Sequence, residues 1–298
     1  MTPDEYLEGI LATQKLEEEE LAELRDNRAG VEDVLAEHLG ESAPSIQYAG
    51  SYKKRTMIRD AYDLDILCYF ERDDTSAGET LQEIYDAVCE ALSQSYYVER
   101  KRSALRVLAD GAGTTRADLR IDVVPGRFTD ETRTDAFLNQ ENGEKERLKT
   151  NLKTHVEHIR DSGVRDAIKL AKLWKHQRNI SIKTFVLELL VVDLLGELKT
   201  VKLSEQFTHF LREFRDHSDS LSVTDPANGN NDLNQILDGA RGELAEWARL
   251  TLEYIENDSW ESVFGAVPER GRSVADLSAA LGRAAVSTPA SRPWLPIR

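Results

Sequence analysis

Apolar residues recur along this chain with two different periods, and the change of period outlines its organisation. Tyr6, Ile10, Leu11, Leu16 and Leu21 make an imperfect helical stripe behind a possible Thr2 cap and Pro3, so one long helix is predicted over residues 3 to about 26. Val31, Val34, Leu35 and Leu39 predict a second helix from about 28 to 39, stopped at Gly40. After a break at Ser42-Ala43-Pro44, a short strand at 46–48 leads into Gly50-Ser51. From Asp63 to Phe70 the period becomes two, with Leu64 and Ile66 on one face and Asp63 and Asp65 on the other. A polar loop over 72–78, a helix over 79–93 and strands at 97–102 and 104–108 follow, then a turn at Asp110-Gly111-Ala112-Gly113. Alternation returns at Arg116–Gly126: Leu119, Ile121 and Val123 take one face, Asp118, Arg120 and Asp122 the other.

Beyond this the pattern turns helical. Residues 144–160 are polar and helix-prone, and helices are predicted at 163–178, 183–199, 203–216, 230–257 and 272–284. The tail from Ser287 holds three prolines and reads as extended or mobile, with Trp294 and Leu295 placed to dock on the body. A mixed region followed by an all-helical one is the mark of an α+β protein. The division predicted is 1–40 for N-terminal helices, 41–158 for the mixed core, 159–286 for a helical lobe and 287–298 for the tail.

Composition narrows the class. With 298 residues, 40% hydrophobic and 31% charged, the chain has the make-up of a globular protein. No apolar run approaches a membrane span and the N-terminus lacks a secretory pattern, so a cytoplasmic location is predicted. Two cysteines, Cys68 and Cys89, are too few for a disulfide scaffold or a structural zinc site. The net charge of −16 disfavours broad nucleic-acid binding, while leaving room for a local basic pocket.

The candidate chemistry lies in GSYKKRTMIRDAYDLDIL, residues 50–67. On a strand, Asp63 and Asp65 start roughly 6.6 Å apart on the same face, and their carboxylates can converge. Two such charges repel unless a cation lies between them. Hard oxygen ligands on a rigid strand suit Mg²⁺, with Mn²⁺ as a substitute, and leave room for water and substrate phosphates. Gly50 permits close backbone approach to a phosphate, and Ser51 adds a hydroxyl. A counter-charge is also present. Lys145 to Lys183 holds eleven Lys or Arg against four Asp or Glu. At 100° per residue, Arg165, Lys169, Lys172 and His176 fall within about 60° of one another, opposite Ala167, Leu170, Ala171 and Trp174. That predicts a helix packed on one face with a line of cations on the other. Ser181 or Thr184 then caps the following helix, and Phe185 is either core or a stacking platform.

Gly-Ser, a short helical turn and Asp-x-Asp on the next strand resemble the signature of the DNA polymerase β-like nucleotidyltransferases. The resemblance implies a third carboxylate on a later strand. Asp122, just before Val-Val-Pro, fits the family pattern; Asp118 is the fallback, with Arg116 or Arg120 as its alternative ion-pair partner. The run IKLAKLWKHQRNISIKTFVLELL resembles the second-lobe motif of the oligoadenylate synthetase and cyclic GMP–AMP synthase superfamily, which includes the bacterial CD-NTases. Asp225-Pro226-Ala227-Asn228-Gly229-Asn230-Asn231 resembles a further segment of it, with Gly229 where proline is usual, and is read as fold-forming.

The resemblance implies a polymerase β-like catalytic lobe, a helical C-terminal lobe and a long N-terminal spine helix. It implies Asp63, Asp65 and Asp122 as catalytic metal ligands, and Gly50 and Ser51 around a donor triphosphate. Lys172 and Thr184 would contact phosphate, and Phe185 would pack on a base. The activity implied is Mg²⁺-dependent condensation of nucleoside triphosphates into a cyclic di- or trinucleotide, with release of pyrophosphate, in bacterial anti-phage (CBASS-type) signalling. The alternatives are nucleotide transfer to a tRNA end, a protein or a small molecule, and a catalytically silent nucleotide sensor. No Cys/His cluster or broad basic surface is present to hold long duplex nucleic acid. A monomer without membrane contact is expected, with room for a regulatory protein partner.

Overall fold

The computed structural model describes residues 1–40, 44–108, 120–141 and 146–267. The Asp110–Gly113 turn, Asp118 with Arg116, the 272–284 helix and the tail from 287 lie outside the described residues. The first helix, α1 (Pro3–Thr13), opens on a reciprocal cap in which Glu5 N–H donates to Thr2 Oγ1 and Thr2 N–H to the Glu5 carboxylate. It does not run to residue 26. The chain breaks at Gln14, whose carbonyl and side-chain oxygens accept the backbone N–H groups of Arg59 and Asp60 at 3.0 and 3.1 Å. It restarts as α2 (Glu18–Leu39), where the Glu20 carboxylate receives Glu17 N–H. The two predicted N-terminal helices are thus divided at 14–17 rather than near 27. Asn27 and Gly30 sit inside α2 without interrupting it, and the Asn27 amide donates to Glu23 O.

Among the described residues seven strands form one sheet: β1 (Ser45–Tyr48), β2 (Leu64–Phe70), β3 (Tyr97–Arg100), β4 (Leu105–Leu108), β5 (Arg120–Phe128), β6 (Ala136–Asn139) and β7 (Arg147–Thr150). The order is β1-β2-β5-β4-β3, with β6 on β5 and β7 on β6. Only the central pair β2–β5 is parallel among these ladders. Leu64, Ile66, Cys68 and Phe70 of β2, with Ile121 and Val123 of β5, bury one sheet face. They pack with Leu24, Val31 and Leu35 of α2 and with Ile84, Tyr85 and Val88 of α4 (Leu81–Ser93). The opposite face carries Leu67, Tyr69, Phe128 and Leu138. Strands β6 and β7 were not predicted; β7 occupies the start of the stretch that reads as helical.

From 152 to 267 the described chain is built on helices: α5 (Leu152–Arg160), α6 (Arg165–Gln177), α7 (Thr184–Leu195), α8 (Leu203–His217), α9 (Asn234–Asp238), α10 (Arg241–Asn257) and α11 (Glu261–Phe264). The helix predicted over 230–257 is interrupted at Gly239-Ala240. Trp174 lies edge-on to Phe207 and Phe210 at the centre of this core, and its indole N–H is satisfied by Thr251 at 2.9 Å. Helix α1 joins this core through Leu7 and Ile10. Helix α2 joins the sheet core, so the N-terminal pair straddles both lobes. Among the described residues no helix is long and apolar enough to cross a membrane.

Candidate active site

Between β1 and β2 lies a five-residue helix, α3 (Gly50–Lys54). Its first residue is glycine for two reasons. Gly50 has φ +51°, and a Cβ there would sit 1.6 Å from Asp65 Oδ2. The backbone of α3 therefore rests directly on the Asp65 carboxylate, which only a residue without a side chain allows. A 2.9 Å bond from Ala49 N–H to Asp65 O fixes the register of that approach.

The second and third carboxylates meet across the sheet. Asp65 on β2 is the register partner of Asp122 on the parallel neighbour β5, and both point away from the apolar core beneath. Asp63 precedes β2 by one residue. Burial pushes the Asp65 carboxyl up to about 6, helped by the negative charges of Asp122 and Asp63. Asp122 is held otherwise. Its cross-strand partner on β4 is Arg106, whose Nε and Nη2 donate to Oδ1 and Oδ2 at 2.7 Å each. Three hard oxygen donors, two of them in register on rigid strands, suit a divalent cation, and the raised Asp65 carboxyl is the group such an ion would relieve. Among the described residues, however, no three His, Cys, Asp or Glu side chains are drawn tightly enough together to enclose an ion. Asp122 faces Arg106 instead.

Gly50, Ser51, Asp63 and Asp65 line a cavity of about 440 Å³; Asp122 is not part of its wall. Lys172, Thr184 and Phe185 also line it, so the predicted residues of both lobes converge there. The predicted exposed line of cations on α6 does not form as expected. Lys172 is buried and donates to Thr56 O at 2.7 Å, because α7 and the residues just after α3 cover that side of the helix. Lys169 pairs with Asp166 at 3.0 Å. Neither Ser181 nor Thr184 caps α7, which opens at Lys183 without a side-chain cap; Thr184 is its first residue, facing the cavity.

Several lining residues were missed by the sequence reading. Glu188 of α7 is fully buried and accepts from Lys54 Nζ and from Thr56 Oγ1 at 2.7 Å, with Lys172 Nζ 3.8 Å away. Burial brings the Lys172 ammonium down to about 8 against the pull of Glu188. Burial opposes charge on Glu188 too, but the two lysines hold its carboxyl below the usual range. At another part of the wall, His155 stands edge-on to Phe185 with ring centroids 4.8 Å apart, and its Nε2 lies 2.6 Å from Asp225 Oδ1. Asn231 donates to Asp225 Oδ2 at 2.8 Å. The 225–231 segment does form a turn, with Ala227 N–H on Asp225 Oδ1 and Asn228 reaching Lys149 O. It also supplies Asp225 and Asn231 to the cavity. The pairing of an acid with a distant His is not visible in sequence.

Comparison with solved structures defines the fold. The chain resembles Escherichia coli MS115-1 CdnC with ATP at 17% identity, over 90% of this chain and 99% of that one, with a TM-score of 0.68. It resembles the Bradyrhizobium diazoefficiens CD-NTase CdnG in complex with GTP at 13% identity, over 96% and 99%, with a TM-score of 0.68. It resembles Vibrio cholerae DncV, a cyclic AMP-GMP synthase, at 15% identity, over 76% and 70%, with a TM-score of 0.56. The chain therefore shares the fold of these CD-NTase structures, an α+β arrangement of a mixed sheet with helices joined to a helical lobe. No family model matches the chain, and no curated protein matches it by sequence.

Proposed function

We propose that this chain is a nucleotidyltransferase that joins nucleoside triphosphates into a cyclic di- or trinucleotide and releases pyrophosphate. The observation that supports it best is one cavity bordered by Gly50-Ser51, Asp63, Asp65, Lys172 and Thr184, contributed by both lobes. Asp63, Asp65 and Asp122 would hold divalent cations, Mg²⁺ or Mn²⁺. Such ions neutralise phosphate charge and lower the pKa of an acceptor hydroxyl. The chain's own residues then have distinct roles. The α3 backbone, brought close by Gly50, and the Ser51 hydroxyl receive the donor triphosphate. Lys54 and Lys172 supply positive charge, which the arriving phosphates reinforce by favouring the protonated Lys172. Thr184 offers a hydroxyl to phosphate. Phe185 packs on a base, with His155 beside it. Asp122 assists removal of the acceptor proton. A unit division at 1–40, 41–158 and 159–286, cytoplasmic action in anti-phage signalling, a monomeric state and a regulatory protein partner belong to the same reading.

The test is incubation of the protein with labelled nucleoside triphosphates, singly and mixed, with Mg²⁺ or Mn²⁺. Phosphatase treatment and mass analysis follow. Phosphatase-resistant small oligonucleotides that disappear in Asp63→Ala are the expected result. Label attached to a tRNA, a protein or a small-molecule acceptor would replace this reading by transfer to that acceptor.

A further inference from the structure

The sheet places four charged residues in one row. Asp65 on β2 is the register partner of Asp122 on β5, Asp122 of Arg106 on β4, and Arg106 of Glu99 on β3. Directly opposed residues share a face, and strands lie about 4.8 Å apart, so the row spans about 14 Å. Its order is acid, acid, base, acid. Asp122 therefore has a rival on each side: a cation shared with Asp65 to one flank, and the Arg106 guanidinium to the other. Arg106 likewise feels three acids: Asp122 and Glu99 in the row, and Asp63 just before β2. It now grips Asp122 with two bonds of 2.7 Å, in a pair about one-fifth exposed. Glu99 is held by Lys101 at 2.6 Å and feels Arg106 as a second positive charge.

We propose that Arg106 is a positioning residue that keeps the third carboxylate in reserve and passes to Glu99 when a divalent cation takes Asp122. This rests on the reading of Asp63, Asp65 and Asp122 as the metal carboxylates. Paired with Asp122, Arg106 neutralises one of three acids that would otherwise repel one another. A metal arriving at Asp65 needs an Asp122 oxygen, and it meets a guanidinium already bonded to both. Binding the ion therefore includes loosening that ion pair. Glu99 lowers this barrier by offering the freed guanidinium a carboxylate on the far side, with no backbone movement. The arrangement ties occupation of the metal site to a side-chain shift along the sheet, towards the β3 edge.

The measurement is Mn²⁺ binding to the nucleotide-free full-length protein, by electron paramagnetic resonance or calorimetry. Arg106→Met removes the competing cation, and Mn²⁺ is expected to bind about tenfold tighter, ~1.4 kcal/mol. Glu99→Ala, at an exposed position, removes the alternative partner and is expected to weaken binding about threefold. The double variant should behave as Arg106→Met, since Glu99 acts only through Arg106. Arg106 that merely props up Asp122 predicts the reverse, weaker binding in Arg106→Met, and that result overturns the proposal. Unchanged binding in Arg106→Met overturns it as well. If Arg106→Met does not fold, Glu99→Ala decides alone: unchanged or tighter binding sinks the idea. Wild type that binds no Mn²⁺, or binding indifferent to Asp65→Ala, overturns the metal reading itself and this proposal with it. Wild-type binding lost in Asp65→Ala isolates the arginine question.

Discussion

Asp65 concentrates the chemistry of the site at a single side chain. It is pressed by the α3 backbone at Gly50, faces Asp122 and Asp63, and titrates near 6 instead of 3.8. An acid whose folded pKa is raised binds protons more tightly in the native state. Between pH 4 and 6 the folded protein thus keeps a proton that the unfolded chain has lost. Stability falls as pH rises through that window, and the cost is complete above pH 6. With about 1.4 kcal/mol per pK unit, Asp65 weakens the metal-free fold at neutral pH by about 3 kcal/mol. Asp65→Asn removes this charge while keeping the shape. In the presence of chelator it is expected to melt several degrees above wild type at pH 7.5, and together with it near pH 4. Equal melting at both values would show that the carboxylate is not strained.

Elements decide which of the sequence signals survive. The alternation at 63–70 and 116–126, the latter described from 120 as β5, was legible because one face of β2 and β5 packs on α2 and α4 while the other bears the carboxylates. Strands β6 and β7 were not, since their four-residue runs AFLN and RLKT are too short to show a period, and RLKT is charged. Lys172 misled for another reason: helical periodicity gives the direction of a side chain but not what covers it. Here Thr56, just after α3, and α7 do, and Glu188 gathers Lys54, Lys172 and Thr56 beneath the cavity. Glu188→Gln leaves two buried lysines without an anion, which is expected to cost about 3 kcal/mol. Phosphate-bearing ligands would restore part of that charge balance. Differential scanning calorimetry should therefore show a lower Tm for Glu188→Gln and a larger upward shift with ATP than in wild type. A shift no larger than wild type's would separate Glu188 from the lysines' readiness for phosphate.

At the scale of the molecule, the two lobes are joined through the joint between α1 and α2 as well as through the cavity. Leu7 of α1 is buried in the helical core and Leu24 of α2 in the sheet core. The four residues between these helices are pinned to the loop that precedes Asp63. Arg59 donates from its backbone to Gln14 O, from Nε to Glu20 at 2.9 Å and from Nη1 to Glu17 at 2.9 Å, and Asp60 N–H reaches the Gln14 side chain. Arg59 is one-fifth exposed, so water screens these bonds only in part. A helix break that depends on residues about forty-five positions downstream leaves no local signature, and for that reason a single helix through residue 26 is the natural reading of the sequence. Removing the guanidinium leaves the Gln14 backbone bond in place but frees Glu17 and Glu20. Arg59→Ala is therefore expected to lower stability by about 1–2 kcal/mol. Because the same loop sets where Asp63 enters the cavity, Mn²⁺ affinity should fall with it, although Arg59 does not line the site. Measuring melting and Mn²⁺ binding together separates the outcomes. Loss of stability alone confines Arg59 to the helix joint, whereas loss of both makes that joint part of the framework that places the first carboxylate.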